Sequence, residues 1–191
     1  MRNCVPLVLM LALAALPRPA ASEDYSDIKD TLELCFSCHG PNGASTDPKA
    51  PIIAGQHMYY LYTELKDFSA GKRQNENMTP VVAGLDKTLL KKLAQYFSEQ
   101  QWPESRAVAD EATLKKAEEV AESAECFQCH LGGYEGTSGV PRLAGQHETY
   151  LLKTILDLKS GARGNSAAMS SLMRTFSDAD LAVMVKYLAS L

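Results

Sequence analysis

The chain is 191 residues long with 23 acidic and 19 basic side chains, a formal net charge of −4. That balance excludes a nucleic-acid binder, which carries basic patches, and leaves protein partners open, because local patches outweigh the sum. Only the N-terminal apolar run approaches the length of a membrane span, and no other segment is apolar enough to cross as a helix.

Residues 1–22 read as a secretory signal peptide. Arg2 supplies the positive start, Val5 to Leu16 is nearly unbroken apolar sequence, and Pro17-Arg18-Pro19 interrupts it. Ala20-Ala21-Ser22 then offers small residues for cleavage. An uncleaved anchor is the competing reading, but the run falls short of about 20 apolar residues. Cys4 precedes the apolar stretch, on the wrong side for a lipid acceptor, and leaves with the signal.

Cys35-Phe36-Ser37-Cys38-His39 has the Cys-x-x-Cys-His pattern of c-type haem attachment. The two thiols become thioethers to the porphyrin edge, and the histidine ligates the iron. Gly40 to Ala50 is a loop rich in turn residues. In Pro51-Ile52-Ile53-Ala54-Gly55-Gln56-His57, the backbone carbonyl at Pro51 is expected to accept a hydrogen bond from the second ring nitrogen of His39. Such a bond fixes the imidazole plane and raises its basicity. His57 begins a helix and reads as a near-surface or haem-propionate-side residue. Arg73 is either a partner of a haem propionate or a solvated side chain.

An iron held by histidine has one position left, and a methionine there raises the reduction potential and closes the site. Met78, in Asn75-Glu76-Asn77-Met78-Thr79-Pro80, fits that role in the first half. Met58 lies too close to Gln56-His57. Asp86 to Phe97 carries an apolar stripe at helical spacing. Pro103, within Gln101-Trp102-Pro103-Glu104-Ser105, forbids helix and sets domain limits at 23–102 and 103–191.

The second half opens on a helix over Thr113 to Cys126, with a stripe at Leu114, Ala117, Ala121 and Ala124, that delivers Cys126-Phe127-Gln128-Cys129-His130. Leu131 to Val140 is again a loop. Pro141-Arg142-Leu143-Ala144-Gly145-Gln146-His147 and Arg163 follow. Met169 and Met173 compete for the second iron. Met169 precedes Ser177 by eight residues, as Met78 precedes Asp86, and this register selects Met169. Ser177-Asp178-Ala179-Asp180 caps a last helix with Leu181, Met184, Val185 and Leu188 on one side.

The halves therefore repeat. Cys35 maps to Cys126 at an offset of 91, Pro51 to Pro141 at 90, and Tyr96 to Tyr187 at 91. Each half is small for a self-supporting core, which a covalently held haem plate remedies. Rival uses of the cysteines fare worse. Zinc sites of the Cys4 type space their pairs by about 15–20 residues, far less than Cys38 to Cys126. Thioredoxin-like chemistry needs a βαβ context, and no strand pattern persists. A disulfide scaffold would suit a shorter, cysteine-dense chain. Bis-histidine ligation through His57 and His147 has only their matched positions in its favour.

Together the two Cys-x-x-Cys-His sites, the Pro-x-[Ile/Leu]-Ala-Gly-Gln segments and the methionine lead-ins to each last helix resemble the cytochrome c4 family, over essentially the whole mature chain. The resemblance implies an all-α chain of two tandem cytochrome c-like domains, each wrapped around a haem c. It implies Cys35, Cys38, Cys126 and Cys129 as attachment residues, and His39, Met78, His130 and Met169 as iron ligands. It also implies a periplasmic electron carrier, not an enzyme, passing electrons from a respiratory donor toward a terminal oxidase. The alternatives are an electron-accepting subunit of a flavoprotein sulfide dehydrogenase, or a haem enzyme with a labile sixth ligand. One departure stands out: the first half carries Leu85-Asp86-Lys87 where the second has a Ser-Asp helix start, which removes the expected serine cap.

Overall fold

The computed structural model describes residues 24–104 and 107–191. The signal-peptide reading of residues 1–22 lies outside them. The described residues are helices and loops, with a lone bridge between Thr137 and Val140 in place of any sheet. The first half comprises α1 (Lys29–His39), α2 (Met58–Ser69), α3 (Met78–Val82) and α4 (Lys87–Ser98). The second comprises α5 (Glu111–Ala124), α6 (Cys126–Cys129), α7 (Leu131–Tyr134), α8 (Glu148–Ser160), α9 (Ala167–Met173) and α10 (Asp178–Ser190).

Each half closes around its last helix. On α4, Leu90, Leu93, Ala94 and Phe97 are buried at spacings of three and four, so one stripe faces inward. Leu93, Ala94 and Phe97 meet Ile28, Leu32 and Leu61, joining α1, α2 and α4 in one cluster. In the second half Met184, Val185 and Leu188 of α10 meet Ala117, Val120 and Ala121 of α5 and Leu151 of α8. Both last helices are capped. The Ser177 hydroxyl accepts from the Asp180 N–H at 3.1 Å. In the first half the Asp86 carboxylate accepts from the Leu89 N–H at 2.9 Å. Aspartate caps as well as serine, so the departure at Leu85-Asp86-Lys87 leaves no helix end unsatisfied.

The helix that opens the second half departs from expectation. It begins at Glu111, with Asp110 as its cap, and stops at Ala124. Glu125 is left-handed at φ +51°, and Cys126–Cys129 forms a separate turn. Ala117, Ala121 and Ala124 are buried as the stripe requires, but Val120 joins them while Leu114 lies toward solvent. In the first half α1 runs unbroken through both cysteines to His39. It ends at Gly40, whose φ of +71° and close approach to the Ala44 carbonyl leave no room for a Cβ.

Candidate haem sites and the contact between the halves

The four cysteines among the described residues are free thiols. In each half the first is half-buried and the second exposed, so each pair leads from the core to the surface. Burial pushes the Cys35 thiol up to about 11 and raises Cys126 as well. Among the described residues no group of three or more His, Cys, Asp or Glu is arranged to hold a metal ion directly.

His39 and His130 are buried. His39 Nδ1 lies 2.9 Å from the Pro51 carbonyl and His130 Nδ1 lies 3.0 Å from that of Pro141. A carbonyl only accepts, so Nδ1 carries the proton and Nε2 presents its lone pair. Burial lowers both histidine pKa values below the ordinary one, against the smaller opposing effect of these bonds, and keeps the rings neutral. A neutral imidazole with a fixed tautomer is what iron ligation requires. The carbonyl partners expected from Pro51 and Pro141 are thus found.

Met78 opens α3, where its N–H is held by the Asn75 side chain at 3.0 Å. It is half-buried at the edge of the Phe68, Val82 and Leu90 cluster. In the second half the matching cluster is Leu158, Met173 and Leu181, with half-buried Met169 at its edge. Met173 is 3 % exposed and stands where Val82, 1 % exposed, stands in the first half. Met169 stands where Met78 does. Met173 therefore fills a core position that needs no sulfur. Free thiols, tautomer-fixed histidines and a sulfur donor at the rim of each core together fit a covalently attached haem in each half.

The Gln-His segments do something the sequence did not disclose. Gln56 Nε2 donates to the Arg142 carbonyl at 3.0 Å, and the Arg142 N–H donates to Gln56 Oε1 at 2.9 Å. Gln146 grips Ile52 in the same two-bond manner, at 2.9 Å each. The imidazole of His57 bonds the Glu135 carbonyl at 2.8 Å, and that of His147 bonds the Ser45 carbonyl at 2.9 Å. All of these pairs are related by an offset of 90, so the contact has pseudo-two-fold symmetry. His57 and His147 are bridges between the halves.

Arg73 and Arg163 complete this contact and are not solvated. Arg73 Nη1 bonds Glu64 at 2.6 Å and Arg163 Nη2 bonds it at 2.7 Å, with all three side chains 10–12 % exposed. Asn165 Nδ2 ties Glu64 to Asp67. Arg73 also reaches the Tyr150 hydroxyl, and Arg163 that of Tyr60. Burial pushes Tyr60 up to about 12. Burial works on Tyr150 in the same direction, but the Arg73 and Arg163 guanidiniums bring it below the ordinary tyrosine value. Glu64 has no counterpart in the second half, where Thr154 occupies the matching position. The signal for the contact was present in the sequence. From Ser45 to Arg73 the repeat keeps one offset with no insertion, as a surface that must match itself demands.

Comparison with known proteins agrees with this geometry. Residues 114–191 match the family model for cytochrome c, the class of electron-transfer protein with covalently bound haem c. Cytochrome c4 of Pseudomonas aeruginosa is 32 % identical over 98 % of this chain and 97 % of that protein. A thiosulfate dehydrogenase electron acceptor of Thiomonas intermedia is 27 % identical over 100 % of this chain and 94 % of that one. The crystal structure of reduced recombinant cytochrome c4 from Pseudomonas stutzeri superposes with a TM-score of 0.78 at 28 % identity, covering 89 % of this chain and 100 % of that one. The chain belongs to the cytochrome c4 family.

Proposed function

We propose that the chain is a periplasmic carrier with two haem c groups, exported by the signal peptide at residues 1–22 and passing electrons from a respiratory donor toward a terminal oxidase. Cys35 and Cys38 attach the first haem, Cys126 and Cys129 the second. His39 and Met78 ligate one iron, His130 and Met169 the other. The observation that carries this ligand set is the correspondence of Met78 with Met169 and of buried Val82 with buried Met173. It supports Met169 over Met173 as the sulfur donor in the half where two compete.

When bound, each haem supplies a one-electron couple that changes charge without transforming a substrate. The chain supplies the rest. The Pro51 and Pro141 carbonyls hold the imidazole planes and increase their donor strength. The methionines close the remaining position to small molecules. The exposed cysteine of each pair brings the attachment edge to the surface, where a small and brief redox encounter is made.

A pyridine haemochrome assay should find two haems per chain. Met169→Ala should convert one of them to high spin and lower its potential. Met173→Ala should leave both low-spin while costing about 2–5 kcal/mol of stability, as buried methionines do. An unchanged spectrum after Met169→Ala would move the ligand to Met173. Carbon monoxide binding by the native reduced protein would favour a haem enzyme instead. The likeness to a thiosulfate dehydrogenase electron acceptor supports a second reading, in which this chain takes electrons from a sulfur-oxidising enzyme. Co-purification with such an enzyme, or with a flavin-bearing sulfide dehydrogenase, would select it over the free carrier.

A further inference from the structure

The carbonyl that receives His39 and the N–H that Gln146 binds belong to one peptide group, Pro51–Ile52. Its oxygen lies 2.9 Å from His39 Nδ1. Its nitrogen donates to Gln146 Oε1 at 2.9 Å. The mirror arrangement holds in the other half. The Pro141–Arg142 peptide accepts from His130 Nδ1 at 3.0 Å and donates to Gln56 Oε1 at 2.9 Å. Each histidine is thus joined, through one peptide plane, to a glutamine of the opposite half.

The orientation of these glutamines is fixed. Gln146 Oε1 also accepts from the His147 N–H at 3.0 Å, and Gln56 Oε1 from the His57 N–H at 3.0 Å. Each Nε2 faces a carbonyl. Flipping either amide would set donors against donors. Both side chains are buried, Gln56 at 3 % and Gln146 at 4 % exposure. Peptide resonance couples the two ends of the unit. An acceptor on the N–H draws negative charge onto the carbonyl oxygen, and chains of bonds reinforce one another by some 10–30 % per bond. A stronger carbonyl pulls the Nδ1 proton harder and makes the imidazole a better donor to iron.

We infer that Gln146 tunes the haem of the first half and Gln56 that of the second, so that each domain sets its neighbour's reduction potential through a three-member relay of glutamine, peptide and histidine. The two glutamines are positioning residues that act through the peptide each one holds. The inference rests on His39 and His130 as iron ligands, as proposed above.

The test uses the full holoprotein, with the two potentials resolved by spectroelectrochemistry and each haem assigned by NMR. Gln146→Leu removes the acceptor and should destabilise the ferric state of the first haem alone. The ferric/ferrous equilibrium should shift about threefold, which is about 30 mV upward at 59 mV per tenfold. Gln56→Leu should do the same to the second haem alone. Gln146→Glu keeps an acceptor oxygen and should leave the first haem at or below its original potential. Glu64→Gln loosens the same contact without touching the relay, and should not reproduce a shift confined to one haem. A shift in the haem of the substituted half, an equal shift in both, or no shift would overturn the relay. Absence of low-spin histidine-ligated haem in the unsubstituted protein is a different result and would overturn the ligand assignment.

Discussion

In the first half Gly43 faces Phe97; at the matched positions of the second stand Tyr134 and Leu188. A Cβ on Gly43 would lie 2.8 Å from both Phe97 and Ile53. The backbone does the same work in each case: the Gly43 carbonyl accepts from the N–H groups of Ile53 and Ala54, and the Tyr134 carbonyl from those of Leu143 and Ala144. What differs is where the aromatic volume comes from. Phe36, inside the first haem motif, packs on Tyr96 and Phe97 with ring centroids 6.0 and 6.2 Å away. In the second half Tyr134 supplies it, at the end of the short α7 that stands where the sequence suggests only loop, and meets Tyr187 edge-on at 5.8 Å. Phe127, the counterpart of Phe36, is left 50 % exposed. A core conserves its total volume more strictly than the source of each ring. Once Tyr134 filled the space, the motif phenylalanine was released to the surface next to Cys129.

Four measurements test that contrast. Tyr134→Ala should cost the second half about 3–5 kcal/mol, the penalty of a deleted buried aromatic, read as a fall in the urea midpoint of the holoprotein. Gly43→Ala should cost the first half about 2–3 kcal/mol, because φ is +85° and the new carbon overlaps two side chains. Phe36→Ala should cost about 2 kcal/mol, whereas Phe127→Ala should stay within about 0.5 kcal/mol; equal losses would mean that the two phenylalanines are equivalent after all. The smallest effect is alkaline. Burial pushes the Tyr134 hydroxyl up to about 12, against about 10 for the unfolded chain. Its neutral form therefore contributes fully below pH 10, and that contribution is lost as pH rises from about 10 to 12. Tyr134→Phe should flatten the stability profile of the second half over that window.

The haem motifs, the duplication, the Ser177 cap and the Pro51 and Pro141 carbonyls were legible because each is local or repeats at fixed spacing, whereas the Asp86 and Asp110 caps were not. Ser177 and the Leu181 stripe are helix signals wherever they occur. The roles of Gln56, Gln146, Glu64 and Tyr134 were not legible in this way. Nothing near Gln56 in sequence says that its amide meets the Arg142 backbone, since that pairing depends on which faces of two domains meet. Arg73 and Arg163 illustrate the same limit. Composition makes a solvated arginine the ordinary expectation, and only the third dimension supplies Glu64. The break before Cys126 was hidden because Ala124 and Glu125 favour helix, while the chain turns at Glu125 in a left-handed conformation that glutamate seldom adopts.

The lone carboxylate shared by Arg73 and Arg163 bears on how a duplicated chain avoids pairing with the wrong copy. Two second halves from different molecules, brought face to face, would bury two Arg163 side chains with a threonine in place of each Glu64. Uncompensated buried cations of like sign oppose such a union. A pair that includes a first half, as one polypeptide already provides, brings Glu64 to answer the guanidiniums. Divergence at this single position thus opposes self-association through the second half alone.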